Sequence, residues 1–184
     1  MLKWTLLWTL MIFLPAVSIP VVYAKERPAS FSSAYTYLSK DCKWAYSESE
    51  LEEGQDNALI CKGYGKYRIY IYYSAMDSFL LIQSKKNPDD VIFSPAVRGI
   101  NEKEGVVEWR MANGVPFAVI VRSREYSDPE DGRKLLKESL IVRGLGQYSG
   151  IDGIVDTRGN KSAGEEAGNI ADTGYRKKQR PAGR

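Results

Sequence analysis

From Ala58 onward the chain reads as one short apolar run after another, each bounded by residues that turn the backbone. Lys66–Ser74, Phe79–Ser84, Val91–Phe93, Val106–Met111, Pro116–Arg124, Leu135–Arg143 and Ile151–Asp156 are rich in β-branched and aromatic residues, the signature of strands. Ala75–Ser78, Lys85–Asp90, Asn113-Gly114 and Asp128–Arg133 punctuate them. No alternation of strands with long helices is visible. The pattern predicts a mainly β protein, an antiparallel sandwich or small barrel of about seven or eight strands, with a short C-terminal helix.

One hairpin can be argued in register. A three-residue loop at Ala112-Asn113-Gly114 would set Trp109 opposite Phe117 and Val107 opposite Val119, on one apolar face. A two-residue loop would set Arg110 opposite Phe117 and turn Glu108 toward apolar neighbours. A one-residue slip turns every side chain over, so the three-residue loop is the expectation. The second face of the hairpin then carries Glu108, Arg110, Arg122 and Arg124, with Glu104 within reach of Arg122.

Both ends of the chain differ from its middle. Lys3 precedes an apolar run from Trp4 to Leu14, and Val22-Tyr23-Ala24 places small residues at the positions that a signal peptidase reads. Residues 1–24 are therefore expected to be a cleaved export signal; the run is short of the roughly 20 residues that a membrane span needs. Lys25–Ser33 reads as a flexible lead-in and residues 34–173 as a single β-rich domain. Asn160 can cap a short helix from Ser162 to Asp172, weakened by Gly164 and Gly168 at about 1 kcal/mol each. Residues 174–184 carry Arg176, Lys177, Lys178, Arg180 and Arg184 and read as a disordered basic tail.

Composition narrows the chemistry. Of 184 residues none is histidine, which removes serine–histidine and cysteine–histidine catalysis and histidine-bound zinc. Loss of residues 1–24 leaves 160 residues, enough for one domain with a substantial core. The net charge of +3 falls to +2 with the loss of Lys3, a balance that predicts no general affinity for nucleic acid and no stable membrane insertion after cleavage. Cys42 and Cys61, the two cysteines, lie 19 positions apart. An even count in an exported chain reads as one disulfide, closing a loop worth about 3 kcal/mol.

Three clusters are candidates for function. Glu48, Glu50, Glu52, Glu53 and Asp56 lie between the cysteines, without the glycine-centred frame of a calcium loop. Strand alternation places Arg68, Tyr70 and Tyr72 on one face of their strand, an aromatic platform for a sugar or peptide, with Tyr67, Ile69, Ile71 and Tyr73 toward the core. Glu108, Arg110 and Arg122 form a charged cluster suited to ion pairing or partner recognition. Arginines beside a carboxylate favour its charged form, the wrong direction for a general acid. No cofactor, metal or catalytic residue is indicated.

Cys61-Lys-Gly-Tyr-Gly, the strand Tyr67–Tyr72, Val107-Glu-Trp-Arg110, Pro116–Arg122 and Val155-Asp-Thr-Arg-Gly-Asn160 occur in that order. As a set they resemble a group of small, uncharacterised, exported proteins of alphaproteobacteria, over roughly Ser33 to Thr173. The resemblance implies a periplasmic or secreted location and carries no catalytic motif. Members of the group tend to have a cysteine and a histidine before the last strand, where this chain has Gly150 and Ile151. In architecture alone there is also an analogy with the periplasmic inhibitors of lysozyme. The expected function is an exported, non-enzymatic envelope binding module for an envelope protein or glycan, with inhibition of a cell-wall-degrading enzyme as its specific form. The alternatives are a carboxylate-dependent glycan hydrolase, which needs two acids about 5–9.5 Å apart, and a structural envelope component.

Overall fold

The computed structural model describes residues 28–47, 57–73, 78–87, 91–94, 97–101, 103–127 and 134–180. The expected export signal (residues 1–24), the acidic stretch 48–56 and residues 181–184 lie outside the described residues. Among the described residues ten strands form two five-stranded antiparallel sheets with a helix against one of them, so the fold is mainly β and sandwich-like, not a closed barrel. The chain runs β1 (Phe31–Tyr37), α1 (Leu38–Asp41), β2 (Cys42–Trp44), β3 (Ala58–Cys61), β4 (Tyr67–Tyr73), β5 (Ser78–Ser84), β6 (Val91–Ser94), β7 (Val106–Ala112), β8 (Val115–Tyr126), β9 (Leu135–Gly144), β10 (Asp152–Asp156) and α2 (Ala163–Gln179). The outer sheet is the meander β2-β3-β4-β5-β6, and the central sheet has the order β1-β7-β8-β9-β10.

Between the sheets lies a core built as the alternation of β4 requires: Tyr67, Ile69 and Ile71 point inward with Leu59, Leu80 and Ile82, against Val107, Trp109, Met111, Val119, Val121 and Ile141 of the central sheet. Trp109 is fully buried, and its indole N–H donates to the Thr36 hydroxyl at 2.9 Å. That hydroxyl donates to the Lys62 carbonyl at 3.1 Å, so a buried donor is satisfied and the two sheets are joined in one chain of bonds. The disulfide is the expected one. Cys42 and Cys61 are directly opposed on β2 and β3, stapling the first hairpin of the outer sheet.

The crossover segment 97–101 is bonded to both sheets: Ile100 N–H donates to Ser78 Oγ at 2.7 Å and Arg98 N–H to Ser123 Oγ at 2.9 Å. Gly99 sits at φ +59°, where a Cβ would come within 2.4 Å of the Arg124 carbonyl oxygen. Only glycine fits there.

The β7–β8 register differs from expectation. Asn113 and Gly114 both have positive φ, 50° and 79°, the two-residue primed turn that Asn-Gly favours. Met111 then opposes Pro116 while Arg110 opposes Ala118, leaving Phe117 as the extra residue of a β-bulge. Beyond it Trp109 faces Val119 and Val107 faces Val121, not Phe117 and Val119. The bulge reconciles a short turn with an unbroken apolar face, a combination that simple alternation cannot produce. It also turns Phe117 to the other side of the sheet.

That other side is not a polar outer face. Ala112, Phe117, Ala118, Ile120, Leu140, Val142 and Val155 form a second core with Ala163, Ala167 and Ala171 of α2. The helix runs through Gln179 in place of ending at Asp172 with a tail from residue 174. Tyr175 explains the extension: its ring lies 4.8 Å from Phe117, 5.0 Å from Tyr148 and 5.6 Å from Phe31. Arg176 lies over Phe31 at 4.8 Å, and the Gln179 amide donates to Tyr148 Oη at 2.7 Å. Phe31 belongs to β1, so the expected lead-in ends before it, and Ser32 and Ser33 are ladder residues opposite Met111 and Arg110.

Two glycines of α2 should respond to alanine with opposite sign. At Gly164, exposed and with nothing within 4 Å of a Cβ, alanine should stabilise by up to about 1 kcal/mol. At Gly174 a Cβ would stand 2.6 Å from Ile151 Cγ1, and overpacking should outweigh the helix gain, for a net loss of about 1–2 kcal/mol. Paired thermal melts check both signs. Replacing Cys42 and Cys61 together by serine should cost about 3 kcal/mol in denaturant titration, as reduction of the native protein should.

Candidate functional site

The six residues singled out for partner binding fall into two sets on opposite sides of the molecule. Arg68, Tyr70 and Tyr72 lie on the exposed face of the outer sheet. The Tyr70 and Tyr72 rings are stacked side by side with centroids 6.4 Å apart and planes 19° apart. Arg68 Nη1 donates to Tyr70 Oη at 3.5 Å. Ile60 and Leu81 flank Tyr70 on the neighbouring strands, and Phe79 stands opposite Tyr72, so the platform is continuous across three strands.

Glu108, Arg110 and Arg122 lie on the helix-facing side of the central sheet, and there the structure separates their roles. Arg110 is covered by α2. Its Nε and Nη2 donate to the two oxygens of Asp172 at 2.8 and 2.7 Å, the bidentate geometry for which arginine is suited. The remaining Nη1 donates to Ser33 Oγ at 3.0 Å, and that hydroxyl donates to Glu108 Oε1 at 2.6 Å. The bond to Asp172 raises the guanidinium further above its ordinary range, against the opposing effect of burial. Arg110 is thus a helix anchor that also positions Glu108 through Ser33.

Beyond the N-terminal end of α2 a cleft of about 290 Å³ opens; Tyr35, Glu104, Glu108, Ile120, Arg122, Arg124, Leu140 and Gly164 line it together with Leu38, Leu80, Ile100, Val107 and Val121 of the core between the sheets. Strand pairing builds it: Tyr35 of β1 is opposite Glu108 of β7, which is opposite Ile120 of β8, and Arg122 is opposite Leu140 of β9. Tyr35 is half exposed and stands 6.3 Å from the ring of Tyr37. Glu138 organises the cationic wall. It accepts hydrogen bonds from Arg122, from Arg124 Nε at 2.8 Å and from Thr157 Oγ1 at 2.9 Å. Arg124 also approaches Glu104 at 4.0 Å, so the acid that sequence placed near Arg122 is beside its neighbour on the same face.

Burial of Glu138 favours its neutral form. The hydrogen bonds from Arg124 and Thr157, with the charge and bond of Arg122, outweigh burial and hold the carboxyl below the ordinary 4.5. The bond to Glu138 correspondingly raises Arg124. The cleft therefore presents fixed charges: two guanidinium groups held by a deprotonated carboxylate, an exposed phenol ring and a carboxylate oriented by a serine. Such a set can bind and orient a polar partner.

Tyr35, Glu138, Thr157 and Asp172 were not among the residues expected to matter. Tyr35 and Tyr37 alternate with Ala34 and Thr36, a period of two that marks a strand, whereas Glu138 sits in the polar run Lys137-Glu138-Ser139 of β9 and carries no signal of its own. Nothing in the sequence pairs Asp172 with Arg110. Among the described residues no cluster of three or more acidic or sulfur ligands is placed to hold a metal ion, and no helix is long and apolar enough to cross a membrane. Comparison with protein-family models, with curated proteins and with solved structures found no match.

Because Glu138 is held below its ordinary value in the folded chain, its contribution to stability is present above pH 4.5 and is lost as pH falls through the lowered value. Glu138→Gln should lower Tm at pH 7 and flatten the decline of Tm below about pH 4.5, where the native protein loses the charged acceptor. Melts from pH 7 to pH 2 for both proteins measure this.

Proposed function

We propose that the protein is an exported, non-enzymatic binding module of the bacterial envelope, and that the cleft between Tyr35 and Arg122 is its recognition surface. One observation carries the non-enzymatic reading: Glu138 is locked among two arginines and a threonine, and Glu108 takes the Ser33 hydroxyl that Arg110 orients. General acid catalysis needs a carboxyl with a raised pKa, and Glu138 is moved the other way. Hydrolysis by paired carboxylates is the weaker reading for that reason. Export is supported by the leader pattern of residues 1–24 and by the Cys42–Cys61 disulfide, a bond that persists in oxidising compartments.

The partner is an envelope protein or glycan, and the specific form of the activity is inhibition of a cell-wall-degrading enzyme. Fixed arginines and an exposed tyrosine provide what such recognition uses: charge-assisted hydrogen bonds to carboxylates and a ring for an apolar or sugar face. The expected natural product begins at Lys25, as intact-mass measurement of material from the envelope would show. Micromolar protein should slow lysozyme on a cell-wall suspension, or bind solubilised peptidoglycan fragments. Tyr35→Ala and Arg122→Ala should each weaken that effect at least tenfold with Tm little changed. Absence of both effects at that concentration, or variants as active as the native protein, would remove the proposal.

A further inference from the structure

The open edge of the central sheet adjoins a second groove, which lies next to the charged cleft at the first turn of α2, where Gly164 lines the cleft and Glu165 and Glu166 line the groove. Ile151 O accepts from Gly144 N–H at 2.8 Å and Thr157 N–H donates to Glu138 O at 3.1 Å. Since antiparallel pairing alternates, residues 151, 153, 155 and 157 turn their backbone groups toward β9. Asp152, Ile154 and Asp156 therefore direct their N–H and C=O groups away from the sheet. Among the described residues β10 has no strand on its far side, and Ile154 is more than half exposed.

Beside this edge runs a groove of about 740 Å³, with Gly150 and Asp152 on the strand side and Glu165, Glu166, Thr173 and Lys177 on the helix side. α2 lies antiparallel to β10, with Gly174 against Ile151 and Ile170 against Gly153, so the helix wall follows the strand. Charge selects the occupant. Glu165 and Glu166 are exposed in the first helical turn, Glu166 accepting one neutral hydrogen bond from the Asn160 amide at 3.0 Å, whereas Asp152 is already paired with Arg143 and Lys177 stands at the opposite end. We propose that this groove binds an extended basic peptide segment of a partner protein, which adds to β10 as a sixth strand of the central sheet with lysine or arginine toward Glu165 and Glu166.

The proposal stands on a different set of residues from the charged cleft and does not depend on it. A ten-residue peptide of alternating lysine and valine, titrated into the ¹⁵N-labelled mature protein, should move the amide signals of Asp152, Ile154 and Asp156 and of α2 from Glu165 to Lys177. The aspartate–valine counterpart should bind at least tenfold more weakly, and N-methylation of alternate residues in the basic peptide should abolish binding. Ile154→Pro removes an outward N–H that takes no part in the β9 ladder, a position where an edge strand tolerates proline; Tm should hold while binding is lost. Should that variant fail to fold, Glu165→Lys with Glu166→Lys decides, with an expected loss of at least tenfold. The inference is overturned by absence of shifts at millimolar peptide, by shifts confined to other surfaces, by binding unchanged in either variant, or by sedimentation showing that β10 is occupied by a second copy of the chain.

Discussion

The central sheet is buried on both faces along its middle strand, and much of the structure follows from that constraint. Phe117, Ala118, Val119, Ile120 and Val121 are consecutive and all buried, although side chains along a strand alternate between faces. Two separate layers must therefore cover this sheet. The outer sheet covers one side, and α2 covers the other. The bulge at Phe117 is what makes the arrangement consistent. It returns Val119 and Val121 to register with Trp109 and Val107, and it releases the largest side chain of the run into the second core.

The second core joins the two ends of the domain. Phe31, at the start of β1, and Tyr175, near the end of α2, meet over Phe117 and beside Tyr148. Edge-to-face ring contacts of this kind contribute about 0.5–1.5 kcal/mol each beyond the area that they bury. Two cations, Arg110 and Arg176, lie over the Phe31 ring, adding cation–π attraction. The Arg110–Asp172 fork holds the middle of the helix. Helix position is thus specified at three levels, by alanine packing at Ala163, Ala167 and Ala171, by an ion pair and by a ring cluster.

Where α2 stops covering the sheet, charged side chains become accessible. The same face that is sealed over Arg110 is open over Glu108, Arg122 and Arg124, and the polar groups exposed there are held by neighbours and do not move freely. Pre-ordered groups of this kind lower the entropy cost of any binding event, which is the basis of the proposed recognition role. The tyrosine platform lies on the far side of the molecule, and the groove at the open edge of β10 adjoins the cleft at the first turn of α2. A small, stapled sandwich thereby offers three faces of distinct chemistry: ionic, aromatic and backbone.

Local pattern was enough to determine the strands from β4 to β10, the inward set on β4, and the pairing of Cys42 with Cys61, because each depends on period-two alternation or on a count. The exposed Arg68-Tyr70-Tyr72 row was legible for the same reason. What only the tertiary structure decided were the features that need a distant partner. The β7–β8 register depended on a bulge, which inserts one residue and so defeats alternation. Phe31 and Tyr175 each sit in a polar, weakly patterned stretch, and their partial burial comes from meeting each other and Phe117, residues far apart in the chain. Arg110 read as a surface charge until Asp172 was brought to it by the helix. Periodicity reports which face of an element is apolar; it carries no information about what covers the opposite face, and at this sheet that second covering layer chose which charges became anchors and which became a site.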